Sequence, residues 1–469
     1  MTAGPQQSTS SRLTAGVIFA GFVFSLAVNL PGHLSYDSVV QLLEGRTGLY
    51  AGWHPPVTSW LLGVTDAILP GTALFVVLNT LLIFGALWAM LRLATASSWT
   101  AVLLAALFAF TPQYLMYPGI VWKDILFAAA TVSGYAALGL AASVWTQRRL
   151  RYAWSILGLV LLVVAALARQ NGIVMLLGGV AAFGWIAARH EGATRRTIAI
   201  YGGSALLAAI VTLTAANVAL GTHLVRESGT ARQLKLLQMY DIVGMLSAQS
   251  DLRLDSIDAA YPVLSKELRT DGVRLYTPQR NDPLAASAPL QAAMTAAPSD
   301  ILRDQWIGLI VQHPWLYLKT RSDIFAWVFL TPRIDLCLPF YAGVSGPQET
   351  LDELDMTARW DDRDQWLQYY GDHFLGWPPL QHGIFAIFSA AAGFLLLRRR
   401  RPADIAIGMM QIAALAFTAT FFLISIACDY RYLYSLDLAA MTGWFYLALD
   451  WQWPEEMLAR SGLFSRWCR

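Results

Sequence analysis

The sequence predicts an all-α polytopic membrane protein of about ten transmembrane helices, with interfacial helices in the first outer loop and a long outer segment. Three observations carry this. The 469 residues are 56% hydrophobic and 14% charged, with mean hydropathy +0.47, whereas an average soluble domain carries about 25% charged residues. The apolar residues fall in runs of about 20, enough to cross a hydrocarbon core of about 30 Å. The cationic residues collect on alternate loops, as the positive-inside rule requires. The net charge of +2 decides nothing, because the distribution of charge matters more here than its sum.

Ten spans are read, near 14–30, 72–92, 99–117, 124–145, 152–168, 172–188, 198–220, 378–397, 404–427 and 435–450. With a cytoplasmic N-terminus, the inner side receives Arg12, Arg92, Arg148, Arg149, Arg151, Arg189, Arg195 and Arg196. It also receives the run Arg398 to Arg401 and the tail's Arg460, Arg466 and Arg469. The short outer loops hold Arg46, Lys123, Arg169 and Arg431. Trp53, Trp122 and Trp377 sit at span ends, where interfacial anchors belong. The first apolar segment reads as an uncleaved helix, since it has one arginine on its N-terminal flank and AVNLPG is a poor small-x-small cleavage site.

The chain divides into three parts. Residues 1–220 form a seven-span membrane block carrying the first outer loop. Residues 221–377 form one extracytoplasmic segment, and 378–469 a three-span block with a cytoplasmic tail. The leader MTAGPQQSTSS is expected to be disordered. Within 221–377, QLKLLQMYDIVGMLS and DILRDQWIGLIVQHPWLYLKTRSDIFAWVFL show helical periodicity. The second is expected to lie along the membrane surface, because FAWVFL is too short to cross. Residues 265–300 read as loop. A segment of this length is usually functional, and capping a site against water is its expected task. The short helix Val57–Leu69 starts at Pro55-Pro56 and stops at Pro70-Gly71; the apolar face Val57, Leu61, Val64 and Ile68 places it at the interface. Cys337 and Cys428 fall outside and Cys468 inside; a disulfide between the outer two stays open, because two cysteines in a chain this long are more often unpaired but sequence alone does not decide pairing.

The most informative stretch is Ser35–Pro56, SYDSVVQLLEGRTGLYAGWHPP. Asp37, Gln41 and Glu44 recur at helical spacing and share a face. Four polar clusters come out on the non-cytoplasmic side: Asp37 with His54, Trp122-Lys123-Asp124, Arg169-Gln170-Asn171 and Asp429-Tyr430-Arg431-Tyr432. Ionisable groups at span ends are costly unless paired or facing a wet cavity. A carboxylate at Asp37 suits a general base or a metal ligand; the competing reading is an N-cap of the helix Ser38–Glu44. His54 is either an interfacial histidine before a Pro-Pro helix start or a contact to acceptor or phosphate. Lys123 and Asp124 form either a local ion pair with Asp124 as N-cap, or a second acid beside Asp37 with Lys123 on a lipid phosphate. Arg169 and Arg431 either snorkel or bind phosphate in a dry site, with Arg431 ahead and Tyr432 beside it. Asn79 and Asn217 are expected to bridge neighbouring helices. No Walker loop, dinucleotide fingerprint, HExxH or cysteine zinc site is present, which argues against nucleotide-driven chemistry.

These residues resemble the GT-C membrane glycosyltransferases, the class that includes protein O-mannosyltransferases and the bacterial aminoarabinose transferase of lipid A. The resemblance lies in the first-loop acid Asp37, the His54-Pro55-Pro56 helix start, Asp124 within VWKDILF, and DYRYLY at 429–434. It covers roughly residues 14–190 and, more weakly, 400–440; residues 221–377 match nothing in it. The resemblance implies an inverting hexosyl- or pentosyltransferase that uses a polyprenyl-phosphate-linked sugar. The acceptor would be a glycan, lipid or protein outside the cytoplasm, with the enzyme in the inner (plasma) membrane and no nucleic acid involved. Asp37, assisted by Asp124, would act as base. Lys123, Arg169 and Arg431 would meet phosphate, and a divalent metal, if used, would fall to Asp37 and Asp124. The rival readings are a lipid-linked polysaccharide polymerase or ligase, and a transporter or flippase.

Overall fold

The computed structural model describes residues 9–50, 52–94, 97–192, 194–221 and 229–450. The leader up to Ser8 and the tail, with Arg460, Arg466, Cys468 and Arg469, lie outside the described residues.

The chain is built from helices. The first are α1 (Thr9–Asn29), α2 (Tyr36–Thr47), α3 (Pro56–Ile68), α4 (Ala73–Leu93), α5 (Trp99–Ala109) and α6 (Pro112–Leu115). Next come α7 (Lys123–Ser143), α8 (Arg148–Ala168), α9 (Ile173–Glu191) and α10 (Arg195–Gly221). The middle of the chain holds α11 (Gly229–Ala248), α12 (Asp255–Ala260), α13 (Pro262–Glu267), α14 (Val273–Leu275), α15 (Asp282–Ala285) and α16 (Ala288–Ala296). It continues with α17 (Ser299–Gln312), α18 (Pro314–Leu330), α19 (Gln348–Glu353) and α20 (Asp362–Asp372). The chain closes with α21 (His382–Arg399), α22 (Pro402–Ile424) and α23 (Tyr434–Leu449). Extended pairing among the described residues is limited to isolated bridges such as Leu34 with Val344 and Val344 with Arg359. The protein is an all-α polytopic membrane protein.

Among the described residues, eight helices are long and apolar enough to cross a membrane: α1, α4, α7, α8, α9, α10, α21 and α22. The expected span over 99–117 is broken. Residues Trp99–Ala109 and Pro112–Gly119 meet at 73°, giving a ninth span if the two arms count as one. Pro112 cannot donate into the preceding helix, which forces the break. The segment expected as the tenth span, α23, is 16 residues long and is buried along most of its length.

The bundle forms around α7, whose apolar window is 94% buried. Its run of Ala and Gly lets neighbouring helices approach closely. By contrast, α10 is only 6% buried, so its glycines and alanines do not serve packing on all sides. Asn79 and Asn217 do not bridge helices as expected. The buried Asn79 amide has no hydrogen-bond partner among the described residues, and Asn217 is exposed on α10.

The stretch expected as loop over 265–300 folds instead into short helices, α13 to α16. Leu264, Leu284 and Leu290 from these helices, and Leu268 from the turn after α13, close a second core with Tyr240, Leu302, Leu309 and Ile324. That compensating burial is invisible in their local composition. The expected surface-lying helix is two helices, split at His313-Pro314. In α18, Ile324 enters the second core while Val328 enters the main one. Arg321 fastens the two: it pairs with Asp241 at 2.8 Å with both side chains fully buried, and its Nε donates to the Phe422 carbonyl of α22 at 2.7 Å. Cys337 and Cys428, whose pairing the sequence left open, form a disulfide with Cα atoms 5.1 Å apart. Their separation of 91 positions in the chain hid that proximity from the sequence.

Below the first loop, α2 and α3 cross where Gly45 faces Gly63. A Cβ on Gly63 would stand 2.2 Å from the Gly45 carbonyl oxygen, so only glycine admits this approach. The crossing lets Ser59 donate to Glu44 at 2.7 Å. Arg46 grips Asp66 through two hydrogen bonds of 2.7 and 2.8 Å.

The turn after α1 carries a buried histidine. The Gly343 N–H donates to His33 Nδ1 at 3.1 Å, so Nδ1 is unprotonated, and Nε2 donates to Asn29 Oδ1 at 3.2 Å. Burial lowers the His33 pKa to about 4, against the opposing pull of Asp364. Between pH 6.5 and 4 the unfolded chain therefore binds a proton that the folded chain refuses, and stability must fall as pH falls. The melting temperature of purified protein should drop across that window, the loss from His33 amounting to at most about 3 kcal/mol. His33→Gln should flatten that part of the profile. A wild-type melting temperature constant from pH 6.5 to 4 would contradict a buried neutral His33.

Candidate active site

The four polar clusters meet at one end of the bundle. Ser35, in extended conformation, caps α2, and its N–H donates to Ser38 Oγ at 3.2 Å. Asp37 is therefore not the cap. It sits in the first helical turn and is free to point sideways, accepting from Arg431 Nη2 at 2.9 Å. On its other side His54 Nε2 lies 3.7 Å from Oδ1. Lys123 Nζ donates to His54 Nδ1 at 3.1 Å, which leaves the imidazole proton on Nε2, facing Asp37. Burial disfavours the Asp37 carboxylate, but His54 and Arg431 outweigh it and hold its pKa well below the ordinary range. Burial lowers the pKa of His54 despite Asp37.

Lys123 and Asp124 do not pair with each other. Asp124, in the first turn of α7, binds Arg169 and lies 3.7 Å from Arg431 Nε. Arg169 does not snorkel outward; its guanidinium rests 5.1 Å from the Tyr432 ring and 5.2 Å from Phe421. Arg431 stacks at 4.8 Å on Trp122, which is 3% exposed and so is a platform for the cation rather than the interfacial anchor expected. Trp53 and Trp377 remain exposed.

All seven residues singled out from the sequence (Asp37, His54, Lys123, Asp124, Arg169, Arg431 and Tyr432) thus belong to one connected cluster. Two further partners join it: Asp429, placed in the last polar cluster by sequence but given no role there, and Arg280, which the sequence reading missed. Asp429 holds Arg431 at 3.0 Å, and Arg280 reaches Asp429 at 3.3 Å. Burial raises the Asp429 pKa, even against Arg431 and Arg280. Arg280 gave no signal because it lies in a stretch that reads as loop. A third buried set supports the turn from beneath: Asp437 takes hydrogen bonds from Tyr430 and from His382, at 2.8 Å. Ionisable residues at span ends were the available sign.

Exposure separates the carboxylates. The Asp37 side chain is 30% exposed, Asp429 8% and Asp124 1%. Only Asp37 offers a carboxylate that an incoming group can reach. The arrangement does not fit a resident metal ion: Asp37 and Asp124 are matched to guanidinium groups, and among the described residues no group of three His, Cys, Asp or Glu side chains is placed to hold a metal ion.

No protein-family model and no curated protein matches the chain. Two solved structures align with it. One is the archaeal oligosaccharyltransferase AglB from Archaeoglobus fulgidus in complex with an inhibitory peptide and a dolichol-phosphate, at 15% identity and TM-score 0.43. The other is an apo form of the Archaeoglobus fulgidus oligosaccharyltransferase, at 13% identity and TM-score 0.41. Each alignment covers 96% of this chain and 51% or 52% of the other. This chain therefore spans about half their length.

The Arg169–Asp124 pair yields a stability prediction. Arg169→Met leaves a carboxylate that is 1% exposed with Arg431 alone, and should destabilise the protein by about 3–5 kcal/mol. Adding Asp124→Leu removes the orphaned charge and should restore most of the loss in a thermal melt. A single variant as stable as wild type would contradict this pairing.

Proposed function

We propose that the protein is an inverting glycosyltransferase. It moves a sugar from a polyprenyl-phosphate donor to an acceptor hydroxyl at the outer face of the cytoplasmic membrane. The observation that supports this is the reachable Asp37 carboxylate beside a dry cluster of cations at the end of a membrane bundle. The acceptor oxygen attacks the anomeric carbon and forms the new C–O bond. The bond from that carbon to the phosphate oxygen breaks, and the electron pair leaves with the lipid phosphate. Asp37 takes the hydroxyl proton. Arg431 and Lys123 stabilise the charge that grows on the phosphate, an effect that is strongest where water is excluded.

In the resting protein Asp37 is a weak base, because Arg431 and His54 hold its charge. A base works best when its pKa lies near the operating pH. Donor phosphate competes with Asp37 for Arg431, so its arrival frees the carboxylate and raises its basicity when the acceptor needs it. The helical layer of residues 229–377, docked through Arg280 and Arg321, covers the cations and keeps water from hydrolysing the donor.

The test is sugar transfer from a labelled polyprenyl-phosphate donor pool in membranes at matched expression. Asp37→Asn should lower turnover by about 10²-fold or more. Full activity in that variant would remove Asp37 from the chemistry.

A further inference from the structure

A second concavity lies beside the charged cluster and takes no part in it. It has a volume of about 660 Å³ and is lined by Asp335, Tyr341, Ser345, Trp360, Gln368 and Asp372 among others. That size is in the range of small-molecule sites. Its position relative to Asp37 is fixed by the backbone. Leu34 N–H donates to the Gly343 carbonyl, and Ser345 N–H donates to the Leu34 carbonyl, both at 2.9 Å. The cavity rim is thus bonded to a residue three positions before Asp37. Its wall residue Tyr341 packs against Trp122 with ring centroids 6.4 Å apart, and Trp122 carries Arg431. Trp122 thus links the Tyr341 wall of the cavity to Arg431 of the charged cluster.

We infer that this cavity receives the acceptor, and that the acceptor is a glycan. The inference rests on the sugar-transfer reading for its role, but its chemistry stands on the lining. Tyr341 and Trp360 offer flat amphipathic faces, suited to the C–H face of a pyranose. Gln368 donates to Asp372 at 3.0 Å, Ser345 pairs with the Tyr341 hydroxyl and Asp335 with Arg333; the lone pairs left over on these carboxylate and hydroxyl oxygens can accept from sugar hydroxyls. A peptide strand finds no edge here. Val344 exchanges both backbone hydrogen bonds with Arg359, at 2.9 and 3.0 Å, and the flanking Gly343 and Ser345 are taken by Leu34, so strand addition is blocked.

The experiment is equilibrium dialysis of the full-length purified protein against tritiated methyl glycosides and disaccharides of glucose, galactose, mannose and N-acetylglucosamine. Wild type should bind at least one. Trp360→Ala should bind it about tenfold more weakly, the scale of one lost aromatic face. Trp366→Ala, on α20 and outside the cavity lining, should match wild type and controls for folding. Asp37→Asn should keep glycoside binding while losing transfer. Equal affinity of Trp360→Ala and wild type, or no binding of any of these sugars to wild type, overturns the inference. Asp37→Asn that retains full transfer, alongside weakened binding by Trp360→Ala, defeats the mechanism above and leaves the acceptor cavity standing.

Discussion

A single guanidinium organises this end of the molecule. Arg431 meets Asp37, Asp429 and Asp124 and lies over Trp122, joining the first loop, the start of α7 and the turn before α23. A cation withdrawn from water at the end of an apolar bundle needs compensation. Each of those segments supplies part of it, so none can move alone. Arg280 extends the chain of charges into the helical layer above through Asp429. The position of that layer is set by the same demand that positions the candidate base.

The turn that presents Arg431 is built for rigidity rather than for regular helix. Residues Tyr430–Leu433 form a single 3-10 turn. Tyr430 is fully buried, with its ring 4.0 Å from His382, and Gln113 of the broken arm donates to its hydroxyl at 3.2 Å. Tyr434 stacks on Tyr117 at 4.6 Å and donates to the Gln113 carbonyl at 2.7 Å. The bend at Pro112 therefore has a structural use, since it turns Gln113 and Tyr117 under the site. The Cys337–Cys428 disulfide clamps the strand of chain entering the turn. Such support is what a site needs if its charged groups are to hold one geometry without water.

Much of this was legible in the sequence, and the limits have physical causes. Long apolar runs give their spans away because the bilayer constrains length. Costly ionisable residues at span ends pointed to Asp37, His54, Lys123, Asp124, Arg169 and Arg431 before any contact was known, whereas Asp429 was seen without its role and Arg280 was not seen. Trp122 misled because an aromatic at a span end satisfies both an interfacial and a cation-stacking environment. Residues 265–300 misled because α13 to α16 are each too short for a periodic signal, and their stability comes from a shared core. Arg280 and the disulfide depend on proximity between segments far apart in the chain, which local pattern does not encode.

The central claim is that donor phosphate and Asp37 compete for Arg431. The most direct measurement is the affinity of detergent-purified protein for polyprenyl phosphate, compared between wild type and Asp37→Asn. The account predicts opposite movements: the variant binds the phosphate more tightly, because Arg431 no longer has to leave a carboxylate, while its turnover collapses. Binding that is unchanged or weakened in Asp37→Asn would contradict the account.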